Sequence, residues 1–381
     1  MYIFYRTLLV AVAVAAGIWM GSNNFFSTLL DKAIIRHSIP QPVPEQLKMA
    51  PMPEAMEPIR DASAFGPSAE AYRAYAFADY DKARNIAYPL AKENDMDAQA
   101  LLGDLCLRGK GLVQNYERAI SYYQPAAVAG NRRAMYALGF MHENGLGVEK
   151  NIQQALEWYS KAAQPLFQPA PEQQEKWAKR PSQLNGLAPA QERLGVIYMG
   201  GLNGAPKDPA AGLRYLEMAF NNGCVSAATR LGIVFMRGKD LVRDIPAAYS
   251  WFGRAAELGD GKAQFYMALF RAEGFIRPKD YSQAYYWARR SAMNNDDDGQ
   301  YLLATLYEKG LGPRKDPVRA ATWYMVAATA KTPTGALADE ANQRMHRSLE
   351  FNLYSQARQL ADKFYPVPPL YYKDPDAFFS I

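Results

Sequence analysis

The chain has 381 residues, 49% of them apolar and 21% charged, and its 43 basic and 38 acidic side chains leave a formal net charge of +5. That composition supports a sizeable core, and so small a basic excess, with no long basic run, argues against nucleic acid as a partner. Three histidines and two cysteines offer little material for a metal centre or a disulfide framework.

Residues 1–30 place Arg6 before an apolar run from Thr7 to Met20. The run is short for a spanning helix and suits a signal-peptide core; extended to Leu30, it suits an uncleaved membrane anchor. Residues 31–67 form a linker with prolines at 40, 42, 44, 51, 53 and 58. Proline at that density favours an extended spacer, and a stand-off between membrane and globular part favours the anchor. Either form puts the rest of a bacterial chain in the cell envelope, tethered to the inner membrane or released to the periplasm.

From residue 68 the chain repeats itself. With Gly139 as reference, equivalent positions are Gly103, Gly195, Gly232, Ala268 and Ala304, at spacings of 36, 56, 37, 36 and 36 residues. A fixed period in this range predicts stacked supersecondary units, none able to bury its apolar face alone. Around each reference, apolar or small residues recur five before, one before and two after it: Ala134, Leu138 and Met141 in the clearest copy. This predicts a first helix, helix A, with an apolar stripe. Six residues beyond each reference stands a glycine (109, 145, 201, 238, 274, 310), the residue best suited to the left-handed helix cap. A second helix, helix B, is predicted to open on Asn115, Asn151, Asp208, Asp244, Asp280 and Asp316, each a capping residue. It carries a small residue (Ala119, Ala155, Gly212, Ala248, Ala284, Ala320) and, three later, an aromatic (Tyr122, Trp158, Tyr215, Trp251, Trp287, Trp323). Asp79 and Ala83 fall 36 residues before Asn115 and Ala119, marking an abbreviated N-terminal copy and a total of about seven.

This pattern, A…LG..Y..G.GV…D….A..W, resembles the Sel-1-like repeat, a relative of the tetratricopeptide repeat, over residues 68–330. The resemblance implies an all-α fold, an α/α superhelical solenoid of helix-turn-helix repeats that scaffolds protein complexes and has no active site or cofactor of its own. Two departures stand out. The consensus tyrosine reads Cys106, His142, Tyr198, Phe235, Arg271 and Tyr307, and the loop after Gly274 reads Phe275-Ile276-Arg277, which predicts a distorted loop in that repeat.

An insertion at 164–187 carries Trp177 among Lys176, Lys179 and Arg180, a candidate partner contact or a segment packed back on the repeats. Residues 331–364 read as a two-helix C-terminal cap. The Pro/aromatic tail, 365–381, reads either as a strap over the cap or as a docking peptide.

No two histidines have metal-ligand spacing, and no nucleophile triad, P-loop or dinucleotide fingerprint is present. Asp296, Asp297 and Asp298 lack the alternate spacing of a calcium loop and read as a solvated helix entrance. Cys106 and Cys224 lie three repeats apart, beyond disulfide reach. Helix A positions opposite the apolar stripe vary between copies, so packing is not expected to dictate them. Tyr136, Phe265 and Tyr301, with Glu143 and Glu308 further along the same helices, are therefore the candidate partner-binding residues of a concave groove. The occupant expected is a protein or peptide; because relatives take part in polysaccharide export, a cell-wall or exopolysaccharide ligand is the alternative.

Overall fold

The computed structural model describes residues 66–164, 186–238 and 241–364, and their regular structure comprises sixteen α-helices and two short 3-10 turns, with no strand. The leader, most of the linker, Trp177 with the body of the insertion, and the tail from 365 lie outside the described residues. Two compact units are distinguished, dividing between Ile233 and Val234.

The N-terminal unit pairs α1 (Ala69–Ala76) with α2 (Tyr80–Lys92), α3 (Met96–Arg108) with α4 (Tyr116–Val128), α5 (Arg132–Asn144) with α6 (Ile152–Ala163), and α7 (Ala188–Gly200) with α8 (Pro209–Asn221). Helices α2, α4 and α6 also pack on the first helix of the next pair. Helix α9 (Val225–Arg237) crosses the division. The C-terminal unit continues with α10 (Ile245–Glu257), then the pairs α11 (Gly261–Glu273) with α12 (Tyr281–Met293) and α13 (Asp297–Lys309) with α14 (Pro317–Ala328). The last two helices, α15 (Pro333–Ser348) and α16 (Phe351–Asp362), both pack on α14.

The boundaries have local causes. Asp79, Asn115, Asn151, Asp208, Asp244, Asp280 and Asp316 each accept a hydrogen bond from the backbone N–H three residues on, supplying a partner to a first-turn donor of helix B. The same device opens most A helices, through Asp95, Asn131, Asp260 and Asp296, and opens α15 through Thr332. Helices α3, α5, α7, α11 and α13 end on a glycine with φ between 60° and 75°, the left-handed conformation that glycine adopts without a Cβ penalty. Gly274 is among them, so the helix end that precedes Phe275 and Ile276 is undistorted.

The core is shaped by ring against glycine. A Cβ on Gly139 would stand 2.7 Å from the Tyr159 ring, and one on Gly103 would stand 2.5 Å from Tyr123. The deepest ring of helix B is thus four residues after its small residue, not three: Tyr123, Tyr159, Phe252 and Tyr324 are buried, whereas Trp158, Trp251, Trp287 and Trp323 are half-buried. Two copies differ: Gly195 meets Leu216 instead of a ring, and α12 has the small, buried Ala288 at that position opposite Ala268.

The insertion does not interrupt this packing. Leu187 donates its backbone N–H to the Ala162 carbonyl at 2.9 Å, and the Gln191 side chain donates to the Ala163 carbonyl at 2.9 Å. The chain therefore leaves and rejoins the stack at neighbouring points, and α7 packs on α6.

Candidate interaction surface

Helix A is covered over most of its surface. In α3 every residue from Asp97 to Leu107 is buried, and α13 is buried from Gly299 to Tyr307. The cause is its central position, covered by helix B of its own pair, by helix B of the preceding pair and, at α3–α5, α11–α13 and α13–α15, by a further A helix. The expectation that Tyr136, Phe265 and Tyr301 point away from the packed stripe is corrected accordingly: they are 5%, 1% and 6% exposed. Tyr136 lies 5.3 Å from the Tyr159 ring and Tyr301 lies 5.4 Å from Tyr324, while Phe265 packs on Tyr266 at 5.3 Å. Rings in this position fill space between helices.

The two candidate glutamates are also engaged, in a motif that the repeat pattern did not disclose. Glu143 is buried and accepts hydrogen bonds from the Tyr159 hydroxyl at 2.9 Å, from Arg193 Nε at 2.8 Å and from its Nη2, and from Asn203 at 3.1 Å. Asp104 accepts from the Tyr123 hydroxyl and from Arg133 Nη2, both at 2.7 Å. Glu308 accepts from the Tyr324 hydroxyl at 2.7 Å and from Arg344 at 3.1 Å. In each case helix A supplies the acid, helix B of the same pair supplies the tyrosine, and the next first helix supplies the arginine. Burial, reinforced by the adjacent carboxylate, pushes the Tyr123, Tyr159 and Tyr324 hydroxyls far above the usual tyrosine range, so they remain donors. Burial opposes the charge on Arg133 and Arg193, but their carboxylate and tyrosine neighbours outweigh it and hold both firmly protonated.

Two further ion pairs join successive first helices: Glu192 with Arg230 at 2.7 Å in the N-terminal unit, and Asp298 with Lys262 at 2.5 Å in the C-terminal unit. The aspartate cluster is thus a helix entrance, as its sequence suggested, but not a solvated one. Asp296 caps α13 and lies 3.1 Å from Lys262, while Asp297 and Asp298 accept from Thr332 and Thr334. Burial, aided by the neighbouring aspartates and only partly countered by Lys262, pushes the Asp296 carboxyl up to about 6.

At all five rungs the acid lies deeper than the base: acid side chains are 2–28% exposed and their cationic partners 12–60%. Arginine brings more donors than a single carboxylate uses. Within each unit the rungs of the first helices therefore present guanidinium and ammonium groups above less exposed carboxylates. On the second helices the half-buried tryptophans carry cations over their rings, Lys161 on Trp158 at 4.6 Å, Arg254 on Trp251 at 4.3 Å and Arg290 on Trp287 at 5.3 Å.

The consensus-tyrosine position contacts helix B both where the tyrosine is kept and where arginine replaces it. Tyr198 stacks on Tyr215 at 5.9 Å, and Arg271 donates to the Tyr249 hydroxyl at 2.8 Å while lying over its ring. His142 is half-buried, burial lowers its proton affinity, and its Nδ1 has no hydrogen-bond partner, which fits packing rather than ligation. Cys106 and Cys224 are both free. Among the described residues no cluster of three or more His, Cys, Asp or Glu side chains could hold a metal ion, and no helix is long and apolar enough to cross a membrane.

A family model for the Sel1 repeat matches six segments, residues 97–131, 132–164, 188–224, 225–260, 261–296 and 297–330, together more than half of the chain. The chain is similar to a Sel1 repeat protein from Oxalobacter formigenes whose crystal structure is known, with 28% identity over 70% of this chain and 98% of that one, at a TM-score of 0.57. A protective antigen of uropathogenic Escherichia coli strains, displaying an SLR fold, is 23% identical over 78% of this chain and 66% of that one, at a TM-score of 0.43. No curated protein matches significantly.

Proposed function

Because the chain belongs to the Sel1 repeat family, whose members generally serve as scaffolds for protein–protein interaction, we propose that it is a non-enzymatic scaffold that holds an acidic segment of a protein partner across the first helices within a unit. One observation carries the acidic preference: at all five rungs the carboxylate is less exposed than its cation, so a partner meets donors before acceptors. The N-terminal segment, read as an anchor or a cleaved leader, would hold the scaffold in the cell envelope, with the proline-rich linker as spacer. A polysaccharide ligand is less well supported, because sugars stack on free ring faces and cations cover those of Trp158, Trp251 and Trp287.

The test is crosslinking in native membranes followed by mass spectrometry of captured material. The intact chain is compared with Arg230→Ser and Arg344→Ser, which remove the two most exposed cations of the rungs, singly and together. Defined proteins with acidic segments, lost in the variants and released by raised salt, are the expected result. Proteins retained equally by the variants would remove the cationic layer from the reading. Recovery of the chain from the cytoplasm alone would remove the envelope location.

A further inference from the structure

The loop between α11 and α12 departs from its counterparts in the repeat. Gly111, Gly147 and Gly312 each stand eight residues after the reference and seat their loop on the opening residue of the preceding second helix. An added Cβ would lie 2.9 Å from the Tyr80 carbonyl oxygen, 2.9 Å from the Tyr116 carbonyl carbon and 2.3 Å from the Tyr281 carbonyl oxygen. Backbone atoms cannot swing aside, so that seat admits no side chain. Ile276 occupies the equivalent position, and its loop stands clear instead: every residue from Phe275 to Lys279 is exposed, whereas Leu112, Leu146 and Val148 of the earlier loops pack on the core. Phe275 is 43% and Ile276 39% exposed, and the Phe275 ring is braced edge-on by the buried Phe270 ring at 5.6 Å.

We propose that this loop is a lipid contact: Phe275 and Ile276 enter the boundary between headgroups and acyl chains of an anionic bilayer, and the cations around them meet its phosphates. Charge complementarity selects that occupant. Arg277 and Lys279 belong to the same loop, and Arg314 and Lys315 belong to the next one, which the contact of Gly312 with Tyr281 lays across the start of α12. All four are exposed, and none is ion-paired to a described residue. The neighbouring acids are committed elsewhere: Asp280 and Asp316 cap α12 and α14, Asp316 also pairs with Arg319 at 3.3 Å, and Glu273 is half-buried. Helices α12 and α14 contain no acidic residue at all. An apolar tip flanked by unpaired cations suits a surface that offers hydrocarbon beneath negative headgroups, since burial of the tip and attraction of the cations then act together. The inference is independent of the partner proposed for the first helices, and it holds whether the N-terminal segment is an anchor or a cleaved leader.

The test uses the full chain on vesicles with brominated acyl chains, made either of phosphatidylglycerol with phosphatidylcholine or of phosphatidylcholine alone. A fluorescent amino acid in place of Ile276 is expected to be quenched about twofold on the anionic vesicles and little on the neutral ones, while the same label at the exposed Gln114 of the α3–α4 loop is quenched on neither. Adding Arg277→Ser and Lys279→Ser to the chain labelled at Ile276 should remove most of the quenching, as should raised salt. In the unlabelled parent, anionic vesicles are expected to slow hydrogen exchange of the amides in 275–279 at least tenfold, and in the double variant Phe275→Ser, Ile276→Ser they are not. Both readouts are local to the loop, so insertion of the N-terminal segment alone does not produce them. A label at Ile276 that stays unquenched on anionic vesicles would overturn the inference. So would quenching that is equal on neutral vesicles, equal at Gln114 or unchanged by the serine substitutions, and so would loop exchange that anionic vesicles leave untouched.

Discussion

Tyr159, Glu143 and Arg193 form one unit, and removing each member has a different consequence. Tyr159→Phe keeps the ring against Gly139 and loses a single hydrogen bond, an expected cost of about 1–2 kcal/mol in urea unfolding. Arg193→Met leaves Glu143 charged, buried and short of its cation, an expected cost of about 3–5 kcal/mol. If the two substitutions cost the same, Glu143 is not held as described. The carboxyl of Asp296 gives a pH signature. Its folded value of about 6 stands above its ordinary 3.8, so the native state binds the extra proton between those values. The stability it contributes is complete below about pH 4 and is lost as pH rises through 6. Asp296→Asn keeps a capping side chain and cannot ionise, so the variant should gain on the parent chain across that window. Parallel stability profiles from pH 4 to pH 7 would show that Asp296 titrates normally.

At the scale of the element, the caps are the part of the fold most readily tested. Asp280→Ala should cost about 0.5–2 kcal/mol and Asp280→Asn only a few tenths, measured by chemical unfolding. Gly145→Ala forces an alanine to φ 70° and should cost about 1–2 kcal/mol. These residues were legible in the sequence because each does its work within a few positions of itself: a cap reaches three residues along, and a left-handed glycine ends the helix it belongs to. The first-helix caps Asp95, Asn131, Asp260 and Asp296 act by the same local rule, and their recurrence about 35 residues apart was available to be found. The burial of Tyr136, Phe265 and Tyr301 was not local. A stripe at helical spacing discloses one packed face, whereas helix A is covered from several sides by elements tens of residues away. Variation at those positions reflected differing neighbours rather than freedom from them. The Tyr–acid–Arg units were hidden for a related reason, since the acid stands at Asp104, Glu143 and Glu308, one or four residues after the reference, and so breaks the repeat register.

For the whole molecule, the all-α repeat fold followed from periodicity, because stacking is the remedy for units that cannot bury their own apolar faces. The partner did not follow, because a scaffold's specificity lies in the surface left over once packing is satisfied. The hydrogen bond between Leu187 and Ala162 bears on that division. Exchanging residues 165–185 for a short glycine-serine bridge should leave the melting temperature nearly unchanged, read by circular dichroism; a large loss would show that the segment supports the stack. Lengthening a closed surface loop twofold costs only about 0.6 kcal/mol, so the closure tolerates a wide range of contents. Residues 165–185 stand as a parenthesis in the grammar of the repeats, closed by the bond between Leu187 and Ala162: what stands inside should be open to rewriting, lengthening or deletion while the sentence around it still parses. Natural variation can therefore try new recognition chemistry there without wagering the fold, and the same position offers a socket for grafting a foreign epitope or reporter.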